Sequence, residues 1–238
     1  MNDFRRLALI LTEGQLNKLI NSTVMVVGIG GVGAMACEAL ARSAVGHLII
    51  IDSDQIQRTN INRQIHTLQS TIGRKKVDVM EERIQQINPA CQVTKYDLFF
   101  TLKEKEIFNR HIDYVIDAID TVGAKLDLIE LCHQNNVPCV SCLGMGNRLD
   151  PSLLSYTQLM KTAGDPLAKA LRIQARKRGI DYPIDVVFSQ EQPTILASEL
   201  MDDDNKHGHI PPGSSAFVPN AAGLFLASFV VRHLSKGS

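Results

Sequence analysis

The stretch VMVVGIGGVG, at positions 24–33, constrains the fold of this chain more than any other. A β-branched apolar run leads into a glycine-rich turn, and a stretch of small residues with helical composition follows. The spacing GxGxxG between a strand and a helix is typical of a loop whose backbone approaches a phosphate beside a helix N-terminus. The stretch therefore predicts a nucleotide-binding loop, and by itself it fits NAD as well as ATP.

Apolar runs alternate with amphipathic stretches over the first 145 residues. The pattern predicts strands at 23–28, 47–52, 92–98, 113–120 and 138–144, and helices at 31–45, 75–88, 101–110 and 124–136. Because such alternation builds parallel sheets, we expect an α/β, Rossmann-like fold. Its sheet should be mostly parallel, with helices on both faces.

Residues 146–238 are less regular. They predict a basic helix near 164–178, a strand at 184–189, a polar loop at 201–215 and an apolar helix after Pro219. The sequence contains no internal repeat and no low-complexity linker. We therefore expect one domain over 1–238, with a nucleotide-binding core at 1–145 and a substrate-facing part at 146–238.

Composition and charge limit the classes of protein to which this chain can belong. The 238 residues contain 25 Lys and Arg and 25 Asp and Glu, so a surface for nucleic acid has to be local. The number of cysteines is odd, at five, and the N-terminal residues do not resemble a signal peptide. No apolar segment is long enough to span a bilayer. These features predict a reduced cytoplasmic protein with no membrane partner.

Charged residues after the second predicted strand favour ATP over a redox cofactor. Asp52 ends that strand, where a carboxylate can accept hydrogen bonds from a ribose. Hydride transfer has no evident need for Arg63 and Lys76, whereas displacement of pyrophosphate from ATP needs cations to stabilise the developing charge. Asp120, at the end of another predicted strand, is placed to bind Mg²⁺. The alternatives are solvated cations at Arg63 and Lys76 and a helix N-cap at Asp120.

The motifs GxGGxG, DxD, TNxNRQ, GxxK and DAxD follow one another along the chain. Over about residues 1–145 they resemble the ubiquitin-activating-enzyme-like (ThiF/MoeB) superfamily, and this resemblance implies an adenylation fold that binds ATP with Mg²⁺. It implies nucleotide contacts from Gly28, Gly30, Gly31, Gly33, Asp52, Asp54, Asn60, Arg63, Gln64, Lys76 and Asp120. Arg63, Lys76 and Asp120 are the implied catalytic residues, with Asp120 as the Mg²⁺ ligand.

The same resemblance implies a homodimer. Arg6 matches an N-terminal arginine that family members insert into the partner subunit's site, and Arg5 beside it is an alternative. Sulfur-transfer or other accessory proteins remain open as further partners, as does a monovalent cation.

Residues 163–180 and 186–193 resemble the bacterial tRNA threonylcarbamoyladenosine dehydratases, a family that uses ATP to cyclise a modification beside the anticodon. The substrate of that family ends in a carboxylate, whose oxygen is a poor leaving group. An acyl-adenylate has a better leaving group, so a neighbouring carbamoyl oxygen can close the ring as AMP departs. The resemblance implies this activity on tRNA, and the sequence leaves adenylation or phosphorylation of the carboxylate open.

Two other functions stay open on the sequence. One is adenylation of a ubiquitin-like sulfur carrier, although those relatives carry two CxxC pairs for zinc and this chain has one, Cys139 to Cys142. The other is an NAD-dependent oxidoreductase.

Several residues are expected to have no catalytic role. Cys132 and Cys142 could form a thioester, and Cys139 with Cys142 could form a redox pair, but their apolar surroundings predict core thiols. An acidic, histidine-containing stretch could imitate a metal site, and its polar neighbours predict a solvated loop instead. It comprises Asp202, Asp203, Asp204, His207 and His209.

A cluster of cations marks the basic helix. Helical spacing places Lys169, Arg172 and Arg176 on one stripe, with Leu167, Ala168, Leu171 and Ala175 facing inward. A solvated helix face is the alternative interpretation. For a tRNA substrate, we expect a docking surface that contacts phosphates. Its predicted tRNA-binding residues are Lys169, Arg172, Arg176, Lys177 and Arg178.

Overall fold

A computed structural model describes residues 4–194 and 212–236 of the chain. These residues contain seven strands: β1 (Thr23–Val27), β2 (His47–Ile51), β3 (Gln92–Tyr96), β4 (Tyr114–Asp117), β5 (Cys139–Cys142), β6 (Leu154–Gln158) and β7 (Asp185–Ser189). They form one sheet in the order β3-β2-β1-β4-β5-β7-β6. Neighbouring strands are parallel except for β6 and β7, which are antiparallel. The expected mostly parallel α/β sheet is confirmed.

Helices cover both faces of this sheet. They are α1 (Glu13–Ile20), α2 (Gly31–Arg42), α3 (Lys76–Ile87), α4 (Val122–Gln134), α5 (Pro166–Lys177) and α6 (Val218–Lys236). Apolar residues of α2, α3 and α6 pack on one face, and those of α4 and α5 pack on the other. Within the described ranges, no helix combines the length and the apolar character that crossing a membrane requires.

The central strands are buried on both faces. All five residues of β1 are buried, with Val24 paired to Leu48 and Met25 to Ile49 of β2. Val24 packs beneath α2 and α6, whereas Met25 packs beneath α4. Continuous β-branched runs are typical of strands that have helices on both sides, which is why these two strands are apparent in the sequence.

The structure differs from the sequence-based prediction at three elements, two of which the sequence does not predict at all. Helix α1 was not predicted, and it begins with a capping box in which Thr12 Oγ1 accepts from the amide of Gln15. Strand β6 was also not predicted, because its half-exposed residues lack a continuous apolar run. The predicted helix at 101–110 is a 3₁₀ segment that is broken at Glu104.

Two other boundaries shift, and part of the chain lies outside the described ranges. The predicted strand at 113–120 ends at Asp117, and residues 118–120 lie outside any strand or helix. The C-terminal helix begins at Val218, with Pro219 in its first turn, where a missing amide costs little. The predicted polar loop is described only from residue 212. Asp202, Asp203, Asp204, His207 and His209 therefore lie outside the described residues.

Candidate nucleotide-binding site

A cleft of about 550 Å³ opens at the carboxyl ends of the central strands. Strand β1 pairs with β2 on one side and with β4 on the other, so the order of the strands reverses at this point. Open parallel sheets bind their ligands at such a switch point. The cleft is lined by the turns after β1, β2 and β4, together with residues 145–146 and 212–214.

The glycine loop forms one wall of the cleft. Gly28 has φ of +90°, and a Cβ there would lie 2.7 Å from the carbonyl oxygen of Ala118. A Cβ on Gly33 would lie 1.8 Å from the carbonyl oxygen of Gly28, so Gly33 serves the packing of α2 on the loop. Gly28, Gly30 and Gly31 line the cleft. No side chain caps α2, so its first amides are available to a phosphate.

Asp52 anchors the glycine loop. Its Oδ2 accepts from the amide of Ile29 at 2.6 Å, and its Oδ1 accepts from the amide of Asp54 at 2.8 Å. Burial raises the pKa of this carboxyl, while the nearby charge of Lys76 acts in the opposite direction. Each carboxylate oxygen can accept a further hydrogen bond, so Asp52 is also able to bind a ribose hydroxyl.

Lys76 is buried, which excludes the solvated alternative for this residue. It is 5% exposed and is the first residue of α3. Its Nζ lies 2.6 Å from Asp54 Oδ2 and 3.8 Å from Asp52 Oδ1. Two carboxylates thus compensate the charge of Lys76 within the cleft.

Arg63 differs from Lys76 because its hydrogen-bond partners are neutral. It is half-buried, and its Nη1 donates to the carbonyl oxygen of Thr59 at 2.9 Å and to Asn62 Oδ1 at 3.0 Å. Across the described residues it forms no ion pair with a carboxylate. Burial lowers the pKa of the guanidinium. A partly desolvated cation without a counter-charge is a favourable place for an anion.

Asn60 and Gln64 complete this side of the cleft. Both are buried, and Asn60 Oδ1 holds its own turn by accepting from the amide of Gln57 at 2.9 Å. Gln64 Oε1 is buried and has no hydrogen-bond partner among the described residues. Asn60 therefore shapes the turn, whereas Gln64 retains an unused acceptor beside the glycine loop.

Asp120 lines the same cleft as the glycine loop and follows β4. It is exposed and lines the cleft, and Thr121 Oγ1 donates to its Oδ1 at 3.3 Å. The N-cap position of α4 belongs to Thr121, so the N-cap alternative for Asp120 is wrong. No group of three or more His, Cys, Asp or Glu residues in the described ranges could enclose a metal ion. One accessible carboxylate suits Mg²⁺, which takes its other ligands from phosphates and water.

Comparison with known proteins places this chain in a family. Residues 4–157 match the ThiF family. The chain belongs to the ThiF family. The tRNA threonylcarbamoyladenosine dehydratase of Bacillus subtilis is 42% identical over 243 residues, covering 99% of this chain and 96% of that protein.

Solved structures extend this comparison. Escherichia coli tRNA N6-threonylcarbamoyladenosine dehydratase in complex with ATP superimposes with a TM-score of 0.89 at 36% identity, covering 99% of this chain and 94% of that one. The complex of the same enzyme with AMP superimposes with a TM-score of 0.90 at the same identity and coverage. The expected superfamily and its adenylation fold are confirmed.

The lining of the cleft also contains residues that the sequence does not predict there. Leu98, Phe99 and Phe100 line it immediately after β3, and Phe99 is 56% exposed. An exposed aromatic ring that lines the same cleft as Asp52 is a suitable surface for a nucleotide base. The signal was the run DLFF at a strand end, which resembles ordinary core sequence.

None of the five cysteines lines the cleft. Cys132 and Cys142 are 2% and 3% exposed, which confirms the prediction of core thiols at these positions. Burial raises the pKa of Cys142 to about 12. A hydrogen bond with Cys132, together with burial, raises the pKa of Cys139. Such thiols are poor nucleophiles at neutral pH.

The basic helix α5 lies outside the cleft lining, as does Arg6, which is exposed. Ala168, Leu171 and Ala175 are fully buried, which confirms their inward face, whereas Leu167 is half-buried. Two of the predicted cations have partners within the chain. The sequence does not predict these partners, because they belong to other elements of the fold.

Arg172 donates from Nη1 to the carbonyl oxygen and the hydroxyl of Thr162. Arg178 forms ion pairs with Asp127 at 2.6 Å and Glu130 at 3.0 Å, both on α4. Arg172 and Arg178 therefore have partners within the chain, and the prediction that they bind tRNA stays a prediction. Lys169, Arg176 and Lys177 are exposed and form no ion pair with any residue the structure describes.

Proposed function

We propose that this protein catalyses the ATP-dependent dehydration of threonylcarbamoyladenosine in tRNA. The observation that carries the proposal is the position of Arg63, Lys76 and Asp120 around the glycine loop in one cleft. Relatives aligned over nearly the whole chain are named for this activity, and one of them binds ATP. The similarity includes residues 146–238, in which we place the substrate-facing part.

The charges of the cleft suit a reaction between two anions, ATP and the carboxylate of the substrate. The amides of α2 and the ammonium of Lys76 face the phosphates, while Arg63 supplies the uncompensated cation. Negative charge develops on the α-phosphate and on pyrophosphate as they separate. We assign Arg63 and Lys76 to stabilising this charge, and Asp52 to the ribose.

We propose that the substrate carboxylate is adenylated. A carboxylate oxygen forms a bond to the α-phosphorus of ATP, and the bond to pyrophosphate breaks. The carbamoyl oxygen then attacks the activated carbonyl carbon, AMP leaves with the former carboxylate oxygen, and the carbamoyl group loses a proton. The AMP complex of the Escherichia coli enzyme supports adenylation over phosphorylation, which would release ADP. No cysteine takes part in these steps.

We further propose that Asp120 holds Mg²⁺ beside the phosphates. The metal would neutralise phosphate charge when bound. The exposed position of Asp120 in the cleft that the glycine loop also lines supports this role.

We propose that tRNA docks on the exposed face of α5 through Lys169, Arg176 and Lys177. These three cations have no carboxylate partner in the described part of the chain, so phosphates can compensate them. We place Arg172 and Arg178 outside this surface, because each already bonds to another part of the protein.

We also propose a homodimer in which Arg6 reaches the partner's cleft. Leu9 and Ile10, close to Arg6, are 77% and 79% exposed, which supports burial of this segment against another chain. One domain over 1–238 is supported by β6 and β7, which extend the same sheet as β1. A cytoplasmic location is supported by cysteines that are all unpaired.

The proposal is tested by nucleotide release. The protein is incubated with ATP and Mg²⁺, and with tRNA that does or does not carry threonylcarbamoyladenosine, and AMP and ADP are separated. We expect AMP to accumulate only with the modified tRNA. Release that instead requires a small carrier protein ending in Gly-Gly would favour a sulfur-carrier adenylating enzyme, and binding of NAD in competition with ATP would favour an oxidoreductase.

A further inference from the structure

A charged pair lies fully buried beneath the floor of the cleft. Lys125 Nζ donates to Asp117 Oδ2 at 2.7 Å, and both side chains are 0% exposed. Asp117 is the last residue of β4, and Lys125 lies in the first turn of α4. Neither residue lines the cleft, and the nucleotide-binding roles assigned above do not involve them.

The pair bonds to residues of three neighbouring elements, β4, β5 and α4. Lys125 also donates to the carbonyl oxygen of Cys142, at the end of β5, at 2.8 Å. Ser141 Oγ donates to Asp117 Oδ2 at 2.5 Å. The other oxygen, Asp117 Oδ1, accepts from the amide of Ile119 at 3.0 Å. The ends of β4 and β5 and the start of α4 are thus joined through one carboxylate and one ammonium.

The bond to Ile119 matters because Ile119 lies in the turn that presents Asp120. That turn contacts the glycine loop on its other side, where Gly28 packs against Ala118. The pair therefore fixes the turn from beneath and the glycine loop restrains it from above. Both contacts restrain the segment that carries Asp120.

Stability alone does not account for the pair. Removing two charges from water is costly, and apolar side chains of similar volume often stabilise a core equally well or better. A buried charged pair does fix directions, since its partners must keep their distances and angles. The pair bonds directly to the turn that carries Asp120, where a fixed direction affects a reaction.

We propose that Asp117 and Lys125 are positioning residues that aim Asp120 at the phosphates. This inference rests on the proposed function, because it assigns Asp120 to ATP chemistry. The pair acts on the orientation of the carboxylate of Asp120 and does not contact the nucleotide.

The test replaces both charges together, as Asp117→Leu with Lys125→Met, so that no buried charge is left alone. We expect a folded protein whose kcat falls by about 100-fold while its KM for ATP changes by less than about threefold. Lys125→Arg, which keeps the pair, should retain most of kcat. A folded double variant with wild-type kcat overturns the proposal.

One single variant, with a matched control, keeps the test decisive if the double variant does not fold. Ser141→Ala removes one hydrogen bond to Asp117 and should lower kcat by about threefold at unchanged KM. An unchanged kcat in Ser141→Ala would then overturn the proposal. Glu38→Gln is the matched control, since Glu38 is a buried carboxylate that pairs with Arg42 and Arg83 away from the cleft. It should lower the unfolding temperature and leave kcat unchanged.

The wild-type protein separates this inference from the proposed function. If wild-type protein releases no AMP with modified tRNA, the proposed function fails. If the wild type is active and the folded double variant is equally active, only the positioning role fails.

Discussion

The ammonium group of Lys76 lies 2.6 Å from Oδ2 of Asp54, inside the cleft that holds the glycine loop. Asp52 lies 3.8 Å away, so two carboxylates compensate one cation. Arg63, across the same cleft, donates to neutral oxygens. A nucleotide in the cleft therefore meets an uncompensated positive charge at Arg63 and a compensated one at Lys76.

We expect Arg63→Ala and Lys76→Ala to lower kcat by about 100-fold each, since both charges act as pyrophosphate departs. In Arg63→Ala the Kd for ATP should rise by less than about fivefold. In Lys76→Ala it should rise further, because Asp52 and Asp54 then face the phosphates uncompensated. Steady-state kinetics and isothermal titration calorimetry measure both quantities.

The excess loss of affinity in Lys76→Ala has its own control. Adding Asp54→Asn should recover ATP affinity and leave kcat low. Lys18→Ala, at an exposed position on α1, should match the wild type in both measurements. Near-normal kcat in both Arg63→Ala and Lys76→Ala would show that the reaction takes place elsewhere.

The sequence predicts the central sheet and the walls of the cleft because their signals are local. Continuous apolar runs mark β1 and β2, and the glycine spacing marks the loop between β1 and α2. Strand β6 escapes prediction because it is a half-exposed edge strand, which is recognisable only once β7 lies beside it.

Contacts between distant residues explain what the sequence does not predict in the site. The pairing of Lys125 with Asp117 depends on how α4 folds back on β4. Arg172 has the helical spacing of the predicted stripe and Arg178 follows α5, and only the positions of Thr162 and α4 reveal their partners. Phe99 lines the cleft because β3 ends there, which an apolar run does not indicate.

No cysteine should be essential. A variant carrying Cys132→Ala and Cys142→Ala should keep kcat within about threefold of the wild type, with a stability loss of about 1–3 kcal/mol from the lost packing. Thermal unfolding verifies the fold, and AMP release measures the rate. A folded variant without turnover would indicate a covalent thioester step.

The exposed cations of α5 should determine the salt dependence of tRNA binding. Replacing Lys169, Arg176 and Lys177 with Ala should weaken binding and flatten its log–log salt slope by up to about one unit per lost phosphate contact. ATP affinity should not change. Arg178→Ala, which breaks ion pairs to α4, is the matched control and should leave the slope unchanged. An unchanged slope in the triple variant would place the tRNA on another surface.

The role of Arg6 is tested by mixing two inactive variants. In a mixed dimer of Arg6→Ala and Lys76→Ala chains, one of the two sites holds both wild-type residues if Arg6 acts across the interface. After random exchange of subunits, we expect about a quarter of wild-type activity to return. Analytical ultracentrifugation confirms the dimer. An absence of recovery in verified mixed dimers would mean that Arg6 acts within its own chain or has no role.

The central claim is that the protein removes one water from a modified nucleoside at the expense of ATP. The direct measurement is mass spectrometry of nucleosides from tRNA carrying open threonylcarbamoyladenosine, after incubation with the protein, ATP and Mg²⁺. We predict that the modified nucleoside becomes lighter by one water, with wild-type protein and with the cysteine variant, and that it stays unchanged with Asp120→Ala or without ATP. A modified nucleoside that keeps its mass with active, ATP-binding wild-type protein would contradict the claim.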